Sequence, residues 1–196
     1  MRRETTDLDS FVLVGDSFGA AVALEFATRL PAGLVGLVLS GGFASDPLPW
    51  WKRTAGCAAA RWAVGPVYHE LTLRFHAWQL ASRFDRTAEV PHSGAQFRQF
   101  FVDNTPKASF DARVRAVSGL DLRRGLPLIE VPTLVITPED DKLVGRTEAD
   151  TLVELIPRCE ERVLPATGHM FRFTHPTLYG QAITQFVDEV TERMPT

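Results

Sequence analysis

The chain is short of several things, and each shortage removes a class of explanation. Two cysteines in 196 residues, Cys57 and Cys159, make no disulfide framework and read as free thiols of a reducing compartment. No apolar run approaches the roughly 20 residues that a membrane-spanning helix needs, so no membrane span is expected. The opening MRRETTDLDS is polar and lacks the apolar stretch of a secretory signal, and a cytoplasmic location is the expectation. A formal net charge of -3 gives no reason to expect nucleic acid as a partner, and Arg2-Arg3 and Arg123-Arg124 are isolated pairs suited to a solvated surface. There is no glycine-rich phosphate loop, no heme motif and no cluster of ligands with metal spacing, so neither cofactor nor metal is expected. Repeats and low-complexity segments are absent as well. What remains, at 45% hydrophobic and 23% charged, is a globular chain large enough for one core and a small cap.

The rest of the chain is organised around FVLVGDSFGAAVAL, residues 11 to 24. Phe11, Val12, Leu13 and Val14 run without alternation, which predicts a strand buried on both faces of a parallel sheet. Ala20 to Leu24 and Phe26 begin a run of good helix formers. Ser17 therefore lies at a sharp turn from strand to helix, at the positive end of the helix. Gly15 and Gly19 flank it, and a side chain at either position is expected to crowd the turn. The pattern is G-x-S-x-G in the strand–turn–helix setting that gives a serine nucleophile its exposure. The plainer alternative is a tight turn with an ordinary serine.

The helix is expected to run to about Leu30 and stop at Pro31, before a second buried strand at Leu34–Leu39. From about Ala44 to Leu120 no buried strand is apparent. Helical stretches rich in aromatics, including Trp50, Trp51, Trp62, Trp78, Phe75, Phe84, Phe97, Phe100, Phe101 and Phe110, are broken by prolines. These aromatics suit either the core of a helical insertion or an apolar pocket over Ser17. Strand character returns at Val131–Ile136, followed by the acidic loop Pro138-Glu139-Asp140-Asp141 and a helix from Arg146 to Ile156. A short strand at Glu161–Leu164, the turn Ala166-Thr167-Gly168-His169 and a striped helix from Pro176 to about Arg193 complete the chain. The expected architecture is α/β: a mainly parallel sheet of about four strands, with residues 1–44 and 119–196 as its core and 45–118 as a helical cap insertion.

A serine hydroxyl needs a base within hydrogen-bond reach, and the base needs an orienting acid. Ser17, the acidic pair and His169 fall in three loops that follow strands, where functional groups of parallel α/β sheets collect. His69, His76, His92 and His175 read as ordinary surface or core residues. Asp16, as the strand neighbour of Ser17, should point away from it.

From Ser10 to its end the chain resembles the α/β-hydrolase superfamily. The likeness is carried by FVLVGDSFGA, LVGLVLSGG, VPTLVITPEDDKLV, ATGH and the closing helix, in the chain order serine, acid, histidine. The resemblance implies Ser17 as nucleophile, His169 as general base and the N–H of Phe18 as one oxyanion donor. The family acid sits in Gly-x-x-Asp-x-x-Val. Here Pro138 takes the glycine position, Asp141 the aspartate position and Val144 the valine position, which favours Asp141 over Asp140. It also implies a serine-dependent hydrolase acting on an ester or a related acyl or carbon–carbon bond of a small apolar molecule. The alternative is an impaired or non-catalytic relative that binds a ligand or partner. Family members carry further strands ahead of the elbow. The resemblance thus makes this the C-terminal part of the fold, with an exposed edge at the elbow strand open to a dimer partner or a complementary chain.

Overall fold

The computed structural model describes residues 10–47, 66–81, 84, 89 and 93–193, with side chains in the helix at 66–80 described from residue 70 onward. Cys57, Trp50, Trp51, Trp62, His92, the Arg2-Arg3 pair and the side chain of His69 lie outside that set. Four strands, β1 (Phe11–Asp16), β2 (Leu34–Ser40), β3 (Thr133–Pro138) and β4 (Cys159–Leu164), form one sheet in the order β1-β2-β3-β4, all parallel. Helix α1 (Phe18–Ala27) makes the crossover from β1 to β2, and α5 (Arg146–Leu155) that from β3 to β4. Between β2 and β3 lie α2 (Pro66–Leu80), α3 (Gly94–Asn104), α4 (Lys107–Val117) and a 3-10 turn at Arg123–Leu128. A short α6 (Phe171–Thr174) and the long α7 (Pro176–Glu192) follow β4.

Strand alternation splits the core into two layers. Leu37, Leu39 and Val135 face Ala20, Ala23 and Leu24 of α1 and Leu152 of α5, while Val38, Leu134 and Ile136 face Phe171 and the α7 stripe of Ala182, Phe186 and Val190. Each fully buried leucine contributes about 1.5–3 kcal/mol by leaving water. Burial is complete on β3 and nearly so on β2. It is not complete on β1, where Val14 is exposed and Phe11, Val12 and Leu13 are only partly covered. The apolar run at residues 11–14 thus overstates its burial, because β1 is an edge strand with β2 as its one neighbour among the described residues.

Other boundaries move for local reasons. β3 begins at Thr133, two residues later than expected, because Pro132 has no N–H to give a ladder. Pro138 is the last residue of that strand and pairs with Leu164. β4 starts at Cys159, earlier than expected, since Glu160 pairs with Leu134 despite its charge. Helix α1 ends at Ala27, and the chain then tightens through Leu30, whose φ is 50°.

The insertion leaves and returns at one neck. Ser45 bridges Asp121, Leu122 donates its N–H to the carbonyl of Ala44, and Asp46 donates to Leu120. Glu148 of α5 accepts from the N–H groups of Ala44 and Ser45 and from the Ser45 hydroxyl, which pins the exit. Inside the insertion, Ser93 and Gln96 form a reciprocal N-terminal cap on α3. Glu89 reaches across to accept from the N–H groups of Thr177 and Leu178 at the start of α7, and the Thr177 side chain, with these N–H groups, holds its carboxyl below the usual range. Leu80, Ala81 and Phe84 pack with Met170 and Leu143, so the end of α2 rests on the loops after β3 and β4.

The aromatics divide. Phe84 and Phe110 are buried and Phe97 and Phe101 partly so, whereas Phe75, Trp78 and Phe100 stay exposed. His76 lies between the rings of Phe101 (5.7 Å) and Phe110 (5.6 Å). Burial pushes its imidazole down to about 4, and the His169 and Arg113 side chains add to the effect. The folded value is lowered, so the unfolded chain takes up the proton first. The stability due to this packing is therefore full above about pH 6.5 and is lost as pH falls from there toward 4. Melting temperatures measured from pH 7.5 to 4 should show His76→Phe gaining on the parent chain across that window. Parallel curves would refute the reading.

Candidate active site

The elbow depends on a backbone conformation that L-residues avoid. Ser17 has φ 54° and ψ -119°, and its N–H donates to the carbonyl of Ser40 at the end of β2 (2.8 Å). Gly15 permits the turn: a Cβ there would stand 2.6 Å from the carbonyl oxygen of Gly19 and 2.7 Å from Cα of Ala20. Gly19 does not share this role, contrary to the sequence expectation, because a Cβ there meets nothing within 4 Å. Gly41, with φ 51°, lies beside the histidine, where a Cβ would make an ordinary contact 3.4 Å from Cε1 of His169.

The elements bring three distant side chains to one point. Nε2 of His169 lies 2.8 Å from Oγ of Ser17, and its Nδ1 lies 2.7 Å from Oδ2 of Asp141. His169 is 1% exposed and the Asp141 side chain 5%, so water competes weakly for either contact. The other carboxylate oxygen of Asp141, Oδ1, accepts from the N–H groups of Leu143 (2.8 Å) and Val144 (2.9 Å), which fixes the carboxylate before the histidine arrives. Of the two adjacent acids, Asp141 is the one facing His169. Asp140 ties the loops together through its backbone, donating its N–H to the carbonyl of Thr167. Gln79 of α2 donates to the carbonyl of Lys142 in the same loop (3.4 Å).

Phe18 opens α1, so its N–H is among the first-turn donors without an intrahelical acceptor. Asp16 meets Arg172 at 2.6 Å. Nothing in the local sequence pattern identified Arg172. The arrangement can take a proton from a hydroxyl, hold the resulting imidazolium against a carboxylate, and receive negative charge at a helix start. Among the described residues no group of three or more His, Cys, Asp or Glu could hold a metal ion. A shallow recess of about 330 Å3 among Thr133, Cys159 and Phe186 lies at the amino ends of the strands, away from these groups.

Residues 2–182 match the model of the alpha/beta hydrolase family. The chain belongs to that family. It is 26% identical to the proline iminopeptidase of Thermoplasma volcanium, over 92% of this chain and 66% of that protein. It is 27% identical to the 2-hydroxymuconate semialdehyde hydrolase of Pseudomonas sp. (strain CF600), over 95% of this chain and 65% of that protein. A solved hydrolase from Pseudomonas aeruginosa PA01 shares the fold with a TM-score of 0.74 at 22% identity, covering 92% of this chain and 66% of that one. The chain thus spans about two thirds of the length of the curated relatives it matches. No helix among the described residues is long and apolar enough to cross a membrane.

The elbow geometry separates the two glycines. Gly15→Ala should destabilise the chain by about 1–3 kcal/mol or more, because backbone rather than a flexible side chain blocks the new Cβ. Gly19→Ala should be neutral or stabilising by up to about 1 kcal/mol, as alanine favours the helix. Urea midpoints of the two variants check the difference, and equal losses would refute it.

Proposed function

We propose that the chain is the catalytic part of a serine hydrolase, with Ser17 as nucleophile, His169 as general base and Asp141 as the acid that orients it. The observation that carries the proposal is the single imidazole within 2.8 Å of Ser17 and 2.7 Å of Asp141. In this reading residues 1–44 and 119–196 form the hydrolase core and 45–118 a cap, in keeping with the neck at Ser45 and Asp121. The substrate class is an ester or a related acyl or carbon–carbon bond of a small apolar molecule, consistent with the peptidase and semialdehyde hydrolase among the relatives.

The chemistry follows from the geometry. Oγ of Ser17 attacks the substrate carbonyl carbon while its proton passes to Nε2 of His169. Asp141 stabilises the imidazolium through Nδ1–H. The carbonyl oxygen becomes an oxyanion, and the N–H of Phe18 donates to it, aided by the positive end of α1. Collapse expels the leaving group, which takes the proton from Nε2 and leaves an acyl-serine. Water, deprotonated by His169, then attacks the acyl carbon and restores the Ser17 hydroxyl.

One N–H is half of a usual oxyanion site, and we place the second donor outside the described residues. Losing one donor costs about a hundred- to a thousand-fold in turnover. Hydrolysis of p-nitrophenyl butyrate by this chain should therefore be slow, and Ser17→Ala should abolish it. Asp141→Asn should lower the rate about ten-thousandfold, toward background, while Asp140→Asn stays near the parent. A longer chain carrying the further third present in the relatives, or that segment supplied separately, should raise the rate. A phosphonate probe should label Ser17. Turnover that survives Ser17→Ala would refute the proposal. Full Ser17-dependent activity in the chain alone would show that a residue here supplies the second donor.

A further inference from the structure

The ion pair between Asp16 and Arg172 runs beside the Ser17–His169 contact and joins the same two segments. Asp16 is the last residue of β1, immediately before Ser17. Arg172 lies in α6, three residues after His169. Their charged atoms are 2.6 Å apart, and the two side chains are about three-quarters covered. The contact is an expensive one to keep. Oδ1 of Asp16 and Nη1 of Arg172 are buried and have no aligned hydrogen bond among the described residues. Burial pushes the Asp16 carboxyl above its ordinary value, outweighing the Arg172 guanidinium that holds it down. An ion pair of this kind is weak as a source of stability, since desolvation offsets most of the attraction.

Its surroundings are stiff on both sides. The N–H of Phe171 donates to Gly168, those of Phe173 and Thr174 to Met170, so the turn from His169 to Arg172 moves as one piece. The Arg172 guanidinium also lies 4.7 Å from the centre of the Phe173 ring, which in turn stands 6.3 Å from Phe97 of α3. The charged and titratable groups facing the pair are His169 and Asp141 from the loops and Tyr179 from α7, whose hydroxyl accepts from Ser40.

We propose that Asp16 and Arg172 are positioning residues: their ion pair clamps the end of the nucleophile strand to the histidine turn and so sets the distance from His169 to Ser17. The proposal rests on the serine-hydrolase reading above. A displacement of an ångström between reacting groups costs on the order of a hundredfold, so a clamp at this spot has leverage that its weak contribution to stability would not suggest.

The test uses the full chain as parent, Asp16→Asn, Arg172→Met, Arg172→Lys and the Asp16→Asn/Arg172→Met double variant. Phosphonate labelling of Ser17 first counts active sites, so poor folding lowers the count and not the rate per site. Per labelled site, kcat for p-nitrophenyl butyrate should fall about 10- to 100-fold in each neutralised variant with KM little changed. The double variant should lose no more than the worse single one, and Arg172→Lys should recover part of the rate. The acidic limb of the kcat profile should move down in Asp16→Asn and up in Arg172→Met, by about half a pH unit or more, because the two remove opposite charges near His169. Unchanged rates per site, or losses that multiply in the double variant, would overturn the clamp. If the parent shows no Ser17-dependent turnover, the serine-hydrolase reading fails by itself. Isotope-labelled histidine NMR then decides the clamp: opposite displacements of the His169 ring titration support it, and no displacement overturns it.

Discussion

The left-handed backbone at Ser17 is the constraint on which the rest depends. Holding a serine at φ 54° costs free energy, and the neighbours that force it are identifiable. Before the turn, the Ser17 N–H is anchored to Ser40. After it, Ala20, Ala23 and Leu24 bury α1 against Leu37 and Leu39. Between these, Gly15 lets the helix backbone approach the strand closely enough to seat both. The strain is stored by the sheet and the first crossover helix together. The histidine turn has a left-handed residue of its own, Ala166 with φ 56°. There the carboxylate of Asp141 is satisfied by two backbone N–H groups besides the His169 ring.

Much of this was legible because the signals are local. The elbow, each of the four strands and each crossover helix can be read within a window of about ten residues, and the serine–acid–histidine order follows from placing three such windows along the chain. Asp141 rather than Asp140 was legible only through register with Val144, and the structure gives that register a cause, since Val144 donates its N–H to Asp141. What sequence could not give is set by partners far along the chain. The half-exposure of β1 follows from its place at the edge, which an apolar run of four does not encode. The capping of α7 by Glu89 spans 88 residues, and the pair of Asp16 with Arg172 spans more. Gly19 shows the opposite error. A motif position was given a steric reason that the open space around it does not support.

The insertion is tied to the chemistry rather than merely laid on it. Its neck is pinned by Glu148, a residue of the crossover helix α5. Its α2 end sits on Met170 and Leu143, the neighbours of the histidine and acid loops. His76 adds a polar group to an otherwise aromatic interior, close enough to His169 for that side chain to disfavour a charge on His76.

The two edges of the sheet differ in a way that bears on the same site. The β4 edge is defended by charge: Arg146 pairs with Glu161, and Arg162 with Glu160 and Glu189. The β1 edge carries no such defence among the described residues. Val14 is exposed there, with Val22, Phe26 and Leu30 on and beyond α1. That apolar side flanks β1, the strand that leads into Ser17, so the proposed nucleophile follows an edge strand of the described sheet. Among the described residues β1 has β2 as its one strand neighbour, with α1 on one face at Leu13 and the α7 layer on the other at Val12, so a further contact to the histidine turn carries more weight than it would in a central strand. This is why a partly desolvated ion pair at the tip of β1 matters to geometry although it adds little to stability. It joins this edge strand to a turn anchored in the α7-side core layer through Phe171 and to the loop of Asp141 through His169.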